Sequence, residues 1–424
     1  MSVFLVTLAI GVPIAFTMVI SGLVAVALQD GLNPLVVVQS MFAGLDSFPL
    51  LAIPFFILAA ELMTGGALTD VLLHFAARLV GHVRGGLGHA NILTLTFFSG
   101  ISGSALADAA GPGAMLIRMM KKAGYHAEYA AALTAATAIV GPIIPPSIIM
   151  IVYALTESSV SVTGLFIAGI LPGLMIAASL AMVNHWISVR RSYRVSDERT
   201  TLAGLLAAFW KALPALALPF IILGGIHLGV FTPTEASAAA AFYALLVGRF
   251  LYRTLTFDKL PAILFRTAMI TASVLLIVAM SNVFAWVLTV GQIPQAVAGW
   301  IAGLELSPLA LFLFINVFLL LAGICIEPLP GIMILVPILA PLAEAAGIHP
   351  LHFAIVVILN LTLGMITPPV GGLLFVTSIV SGVTMGKMTR ELVPMFGAQL
   401  AVLLLLTLVP GFSTWLPGFF GYKH

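Results

Sequence analysis

The chain has 424 residues, 61% of them hydrophobic and only 8% charged, with 17 Lys and Arg against 15 Asp and Glu. A soluble protein carries roughly 25% charged residues, so this composition cannot cover a water-soluble globule. It describes an all-α polytopic membrane protein set in a lipid bilayer and excludes nucleic-acid binding, which needs a basic face. The single cysteine, Cys325, excludes a disulfide framework or a cysteine-rich metal site.

A helical span needs about 20 apolar residues. In chain order, apolar segments are expected at 3–28, 48–63, 92–120, 129–156, 165–189, 213–230, 236–251, 268–290, 310–342, 353–383 and 392–416. No charged run and cleavage signal mark the first as a leader, so it is expected to remain as a span. Amphipathic stretches at 33–46, 67–82 and 293–304 are expected to be arms lying in the interface. Trp186, Trp210, Trp300 and Trp415 sit near segment ends, where tryptophan anchors helices at the membrane surface.

Segments 92–120 and 310–342 are long, and their middles are rich in Gly, Pro or Ser. Arg78 and Arg84 precede the first; Arg118, Lys121 and Lys122 close it. Cationic loops stay in the cytoplasm, so 92–120 should enter and leave by one face, as a re-entrant hairpin. Segment 310–342 is flanked by Glu305, Glu344 and His349 and reads as a second hairpin from the opposite face. The alternative, two tight ordinary spans in each, leaves halves short for crossing a bilayer.

The chain repeats itself. Gly141-Pro-Ile-Ile-Pro145-Pro146 matches Gly364-Met-Ile-Thr-Pro368-Pro369, and at nearly the same offset Ser102-Gly103-Ser104 falls near Glu327-Pro328-Leu329. Each half therefore reads as span, arm, hairpin and broken helix. The opposite charge flanks invert one half against the other, a signature of secondary transporters.

Proline cannot donate to the carbonyl four residues back. Pro145 and Pro146 free the carbonyls of Gly141 and Pro142; Pro368 and Pro369 free those of Gly364 and Met365. Freed carbonyls in hydrocarbon must be satisfied, and Na⁺, a small hard cation, suits them. Hydroxyls of Ser102, Ser104 and Thr367 are at hand. A kink patched by water or a neighbouring hydroxyl is the plainer alternative. The half-helices after each break present free N–H groups that suit an anionic substrate.

These residues carry a resemblance. The chain resembles the large, DctM-like membrane subunit of TRAP transporters (tripartite ATP-independent periplasmic transporters) over nearly its whole length. The similar motifs are Gly44-Leu-Asp-Ser-Phe-Pro-Leu-Leu-Ala-Ile-Pro54, Ser102-Gly-Ser-Ala-Leu-Ala-Asp108, 141–147, Phe231-Thr-Pro-Thr-Glu-Ala236, Glu327-Pro328 and 363–371. The stretch Ala110-Gly-Pro112-Gly-Ala and Arg118 depart from the usual pattern. The resemblance implies Na⁺-coupled import of an organic acid, such as a C4-dicarboxylate or sialic acid, across the bacterial inner membrane. It implies a periplasmic substrate-binding protein and a small Q-type membrane subunit, expected here as a separate chain. It also implies an elevator, with the transport halves at 92–160 and 306–385, scaffold and arms at 1–91, scaffold helices at 161–305 with a cytoplasmic linker at 190–211, and a C-terminal helix at 386–424.

Carried over residue by residue, the resemblance implies one sodium site at Ser102, Ser104, Gly141, Ile144 and Pro146. A second lies at Gly323, Cys325, Gly364, Thr367 and Val370. For the substrate it implies Ser104, Asp108, Ser147, Pro328 and Pro369. Acids inside a membrane default to functional roles: Asp108 could orient the first tip or cap a half-helix, and Glu327 is its counterpart in the second hairpin. Glu61 and Glu235 fall in the scaffold, as structural groups or contacts to the Q subunit. A one-component Na⁺/organic-anion symporter of similar architecture is the competing transport reading, and a passive channel is another. An intramembrane enzyme finds no HExxH, GxSxG or GxxxxGK[ST] motif.

Overall fold

The computed structural model describes residues 2–28, 33–65, 68–193, 201–368 and 370–422. Among them the chain is helical throughout, without a strand. Six helices are long and apolar enough to cross a membrane, or seven if Leu35–Leu45 and Phe48–Thr64, bent by 63°, form one span. This is a multi-pass membrane protein. Helices suit it because each satisfies its own backbone polar groups where no water is available.

The two long segments fold back on themselves. Gly86–Ser102 ends at Gly103, whose φ of +59° reverses the chain, and Ala105–Ala110 and Pro112–Lys122 return along it. Pro308–Cys325 and Pro328–Ala345 are joined by two residues and pack together. The segments at 129–156 and 353–383 are each interrupted. Ala127–Ala138 gives way at 139–147 to Ile148–Thr156, and Pro350–Gly364 gives way at the second Pro-Pro to Gly372–Ser381.

One expectation about continuity is corrected. Segment 3–28 is not one rod: Ser2–Ala9 stops before Gly11 (φ +87°) and Pro13, and Ile14–Leu28 restarts beyond them. Lone prolines do not break helices elsewhere. Val162–Arg190 runs past Pro172, Leu202–His227 past Pro214 and Pro219, Pro328–Ala345 past Pro337 and Pro341, and Met385–Leu408 past Pro394. A lone proline removes one hydrogen bond, which neighbours can make good; the Pro-Pro pairs remove two in succession.

The first halves of the broken helices form the centre. From Tyr129 to Ala138 and from Leu351 to Gly364 every residue is buried. Lipid offers apolar side chains no less than protein does, so such centres rest on close packing. The alanine-rich run Ala130–Ala138 lets neighbours approach closely. The first hairpin packs on Ala127–Ala138 and the second on Pro350–Gly364. The second halves cross over: Gly372–Ser381 lies against the first hairpin, and Ile148–Thr156 against Pro328–Ala345.

The two broken helices run antiparallel. The first hairpin starts and ends at one end of the molecule. A Cβ on Gly85 would press on Ser188, and Lys121 Nζ donates to the Ser381 carbonyl at 3.3 Å. At the other end, Tyr153 and Glu157 share a small cavity with Glu344, Ile348 and Pro350, where the second hairpin closes. Val162–Arg190 packs against Met385–Leu408, Gly411–Phe419, Gly86–Ser102 and both broken helices, with lesser contact to Leu202–His227. Leu260–Val290 joins Ile14–Leu28, Leu35–Leu45 and Ala52–Gly65 in a separate group that meets the hairpins mainly at Pro328–Ala345. Of the expected arms, the described parts are the helices Leu35–Leu45, Leu68–Val80 and Ile293–Ala302.

Candidate functional site

The first break unwinds through tight turns. Val140 N–H donates to Thr137, Gly141 N–H to Ala138, and the N–H groups of Ile143 and Ile144 to Val140. A cis peptide joins Pro145 to Pro146. Ser147 restarts the helix by accepting from Met150 N–H at 3.3 Å, while its own hydroxyl donates to the Pro142 carbonyl at 2.7 Å. One of the two carbonyls freed by the Pro-Pro pair is thus satisfied by a side chain. For the other, Gly141, no donor occurs among the described residues.

The first hairpin tip is laid directly on this break. A Cβ on Gly103 would lie 2.6 Å from the Pro146 carbonyl oxygen and 2.9 Å from Ser147 Cα. A Cβ on Gly141 would lie 2.7 Å from Asp108 Oδ2 and 3.2 Å from Ala105 N. Glycine at both positions permits backbone to meet backbone. Behind the break, Gly169 abuts the Ile143 carbonyl and Gly173 abuts the Ile144 side chain.

Asp108 is fully buried beneath the tip. Ser102 Oγ donates to its Oδ1, and Ser99 Oγ lies 3.0 Å from Oδ2 and 2.7 Å from the Leu95 carbonyl. Ser104 caps Ala105–Ala110 through Ala107 N–H at 3.4 Å. Asp108 therefore faces the hairpin's own serines and Gly141 rather than open space.

The second break is more open. A Cβ on Gly323 would lie 3.1 Å from the Leu361 carbonyl oxygen and 3.3 Å from Gly364 Cα, so the hairpin's first leg touches the break directly. Its freed carbonyls find backbone donors: Thr367 N–H to Gly364 at 3.0 Å and Leu373 N–H to Met365 at 3.0 Å. Thr367 Oγ1 donates to Leu363 at 2.9 Å. Gly371 (φ +47°) turns the chain into Gly372–Ser381. Cys325, Glu327, Pro368 and Val370 are exposed, whereas Ser102, Gly141, Pro146 and Ser147 are buried. Pro328 is buried at the start of the hairpin's second leg, and Pro369 lies outside the described residues.

The fold thus gathers Ser102, Asp108, Gly141, Pro146 and Ser147 around one contact, with Ser104 at the tip and Ile144 on the same loop. It joins Gly323 to Gly364 around another. Asp108 and Glu327, expected as counterparts, differ in setting, since one is sealed and the other exposed. Glu235 closes a capping box with Thr232, and Glu61 lies 3.9 Å from Arg266. Asn360 Nδ2 donates to Asn316 Oδ1, tying the second broken helix to its hairpin. Two features were legible but unread. Ser99 stands three residues before Ser102, hence on the same helix face, and Gly169-x-x-x-Gly173 is a close-packing spacing. Gln399, whose Nε2 donates to the Ala136 carbonyl at 2.8 Å, has no sequence signal.

Helical hairpins seated on unwound helices inside a polytopic body define a fold shared with a known transporter, YdaH of Alcanivorax borkumensis. The TM-score is 0.63 at 16% identity, over 91% of this chain and 87% of that one. The family model described as "Tripartite ATP-independent periplasmic transporter, DctM component" matches residues 1–412. The chain is 40% identical over 416 residues to the sialic acid TRAP transporter large permease protein SiaM of Vibrio cholerae, covering 97% of this chain and 96% of that protein. It is 41% identical over 381 residues to the C4-dicarboxylate TRAP transporter large permease protein DctM of Pseudomonas aeruginosa, covering 90% and 89%. The chain belongs to the DctM family, the large permease subunits of TRAP transporters, and is a transport subunit rather than an enzyme.

Proposed function

We propose that this subunit imports an organic carboxylate across the bacterial inner membrane, driven by Na⁺ and supplied by a periplasmic substrate-binding protein. A small Q-type subunit completes the assembly. The observation that carries this reading is the seating of Gly103 on the Pro146 carbonyl beside an ungripped Gly141 carbonyl. Sodium wants several neutral oxygens, and the contact supplies them from two elements at once. The first site comprises Ser102, Ser104 and the backbone oxygens of Gly141, Ile144 and Pro146. The second comprises the backbone near Gly323 and Cys325 with Gly364, Thr367 and Val370. Carbonyls that already accept one hydrogen bond retain a second lone pair for the ion.

Asp108 acts behind the first site, holding Ser102 through a buried hydrogen bond. Ser104, Ser147, Pro328 and Pro369 border the substrate, whose carboxylate suits the N-terminal ends of the half-helices. The carboxylate class follows from relatives named for sialic acid and C4-dicarboxylates.

The two halves form an inverted repeat, supported by the antiparallel broken helices with their hairpins at opposite ends. Transport is by an elevator. The moving body comprises the hairpins, the broken helices, Val162–Arg190 and Met385–Leu408; the frame comprises 14–65 and 202–290. A cavity of about 360 Å³ lines the seam between them, bordered by Gly44, Ser47, Asn282, Thr156, Met333 and Pro337. Packed interiors hold few such voids, and a seam that slides has reason to keep one. Reconstitution with candidate binding proteins and a small subunit tests the reading. Uptake should require both the binding protein and an inward Na⁺ gradient; full uptake without either would contradict it.

A further inference from the structure

Basic residues far apart in sequence converge at one end of the molecule. Lys121 reaches Ser381, Lys387 Nζ lies 4.0 Å from Glu128 Oε1, and Arg191 donates twice to Glu391, at 2.7 and 2.9 Å. The positive-inside rule assigns this end to the cytoplasm. Here, between Val162–Arg190 and Met385–Leu408, lies a cleft of about 230 Å³ lined by Trp186, Arg190, Arg191, Arg390, Glu391 and Pro394.

The cleft's charge is unbalanced. Glu391 offsets Arg191, but Arg190 and Arg390 have no acidic partner among the described residues. Arg190 is held with its guanidinium carbon 4.1 Å above the Trp186 ring, which leaves its N–H edges free to donate. Further along the same two helices, Met182, one turn before Trp186, is 69% exposed, and Val393, next to Pro394, is 63% exposed, which gives the cleft apolar neighbours. Cationic donors above an indole and a greasy flank match a molecule with a phosphate at one end and acyl chains at the other. A free anion would leave the apolar flank unused. Inner leaflets are rich in anionic lipid, and basic pockets between helices at that level suit its headgroups.

We propose that this cleft binds the phosphate of an anionic phospholipid, of the phosphatidylglycerol class, through Arg190 and Arg390. Arg191 and Trp186 shape the pocket, and the acyl chains run along Met182 and Val393. The cleft lies on the body proposed to move but shares no residue with either sodium site, so its failure would leave the sodium reading untouched.

The test titrates the full chain in detergent with phosphatidylglycerol, phosphatidylcholine or inorganic phosphate, reading lipid adducts by native mass spectrometry and protection by thermal unfolding. Phosphatidylglycerol should bind and protect; the other two should not. Arg190→Gln and Arg390→Gln should each weaken phosphatidylglycerol binding about fivefold, and together about 30-fold. Both side chains are exposed, so unfolding without lipid should be unchanged; lipid binding that falls only in step with lost stability would overturn the assignment. Wild-type affinity in the double variant would overturn it too. Equal protection by phosphate would make this a simple anion site, and equal binding of phosphatidylcholine would remove the role of charge; either result overturns the proposal.

Discussion

Substituting Gly103 by Ala probes the seating of the first tip directly. Gly103 has φ +59°, a left-handed conformation that costs an alanine about 1 kcal/mol. Its new Cβ would also lie 2.6 Å from the Pro146 carbonyl oxygen, where ordinary contact begins at 3.4 Å. The opposing atoms are backbone on a buried loop, so they cannot rotate away. Tip and break must separate by about 0.8 Å, the difference between those two distances. Ion sites tolerate displacements of roughly 0.2 Å, so Na⁺ affinity should fall about tenfold or more. Gly124 provides a matched control: its φ is +88°, yet a Cβ there meets nothing within 4 Å. Gly124→Ala should lose about the same stability and keep its sodium dependence. The assay is uptake in proteoliposomes as a function of external Na⁺, with thermal unfolding alongside. Identical half-saturating Na⁺ concentrations in the two variants would refute the reasoning.

Ser102→Ala removes a buried donor to Asp108 and leaves that acceptor unpaired, at a cost of about 1–3 kcal/mol. The half-saturating Na⁺ concentration should rise about tenfold, while Ser99→Ala should do less, because that hydroxyl also lies on the Leu95 carbonyl; uptake titrations in which neither variant moves would remove both serines from the site. Gly364→Ala drives a Cβ into the Gly323 backbone and should abolish transport in a protein that still reaches the membrane, so wild-type uptake would show that the second contact is dispensable. Asn316→Leu strands the Asn360 amide at a cost of about 1–3 kcal/mol. The double Asn316→Leu, Asn360→Leu variant should recover part of that loss in thermal unfolding, and strict additivity would mean the pair does not interact.

Much of this architecture is legible because membrane chains leave few options. The Pro-Pro pairs locate both breaks, since two consecutive missing donors cannot be absorbed by a helix in lipid. Charge around 78–122 foretells a segment that turns back on itself, and Gly86–Ser102 does reverse at Gly103 with Ala105–Ala110 and Pro112–Lys122 packed along it. Other features escape because tertiary contact decides them. Nothing in 162–190 says that it packs on the first hairpin and the broken helices more than on Leu202–His227. Pro172 resembles a breaker and is not one. The freed carbonyls of Gly364 and Met365 looked bare, but local turns reach them through Thr367 and Leu373. The burial of Asp108 depends on Ser99, Ser102 and Gly141 meeting, a conjunction of two distant segments that no local pattern contains.

The central claim is that a cation sits where each hairpin meets its broken helix. Cryo-electron microscopy of one preparation, in Na⁺ and again in choline, tests it most directly. The account predicts density among Ser102, Gly141 and Pro146, and among Gly323, Gly364 and Thr367, present in Na⁺ and lost in choline. Maps that are the same in both salts, with neither position filled, would contradict it.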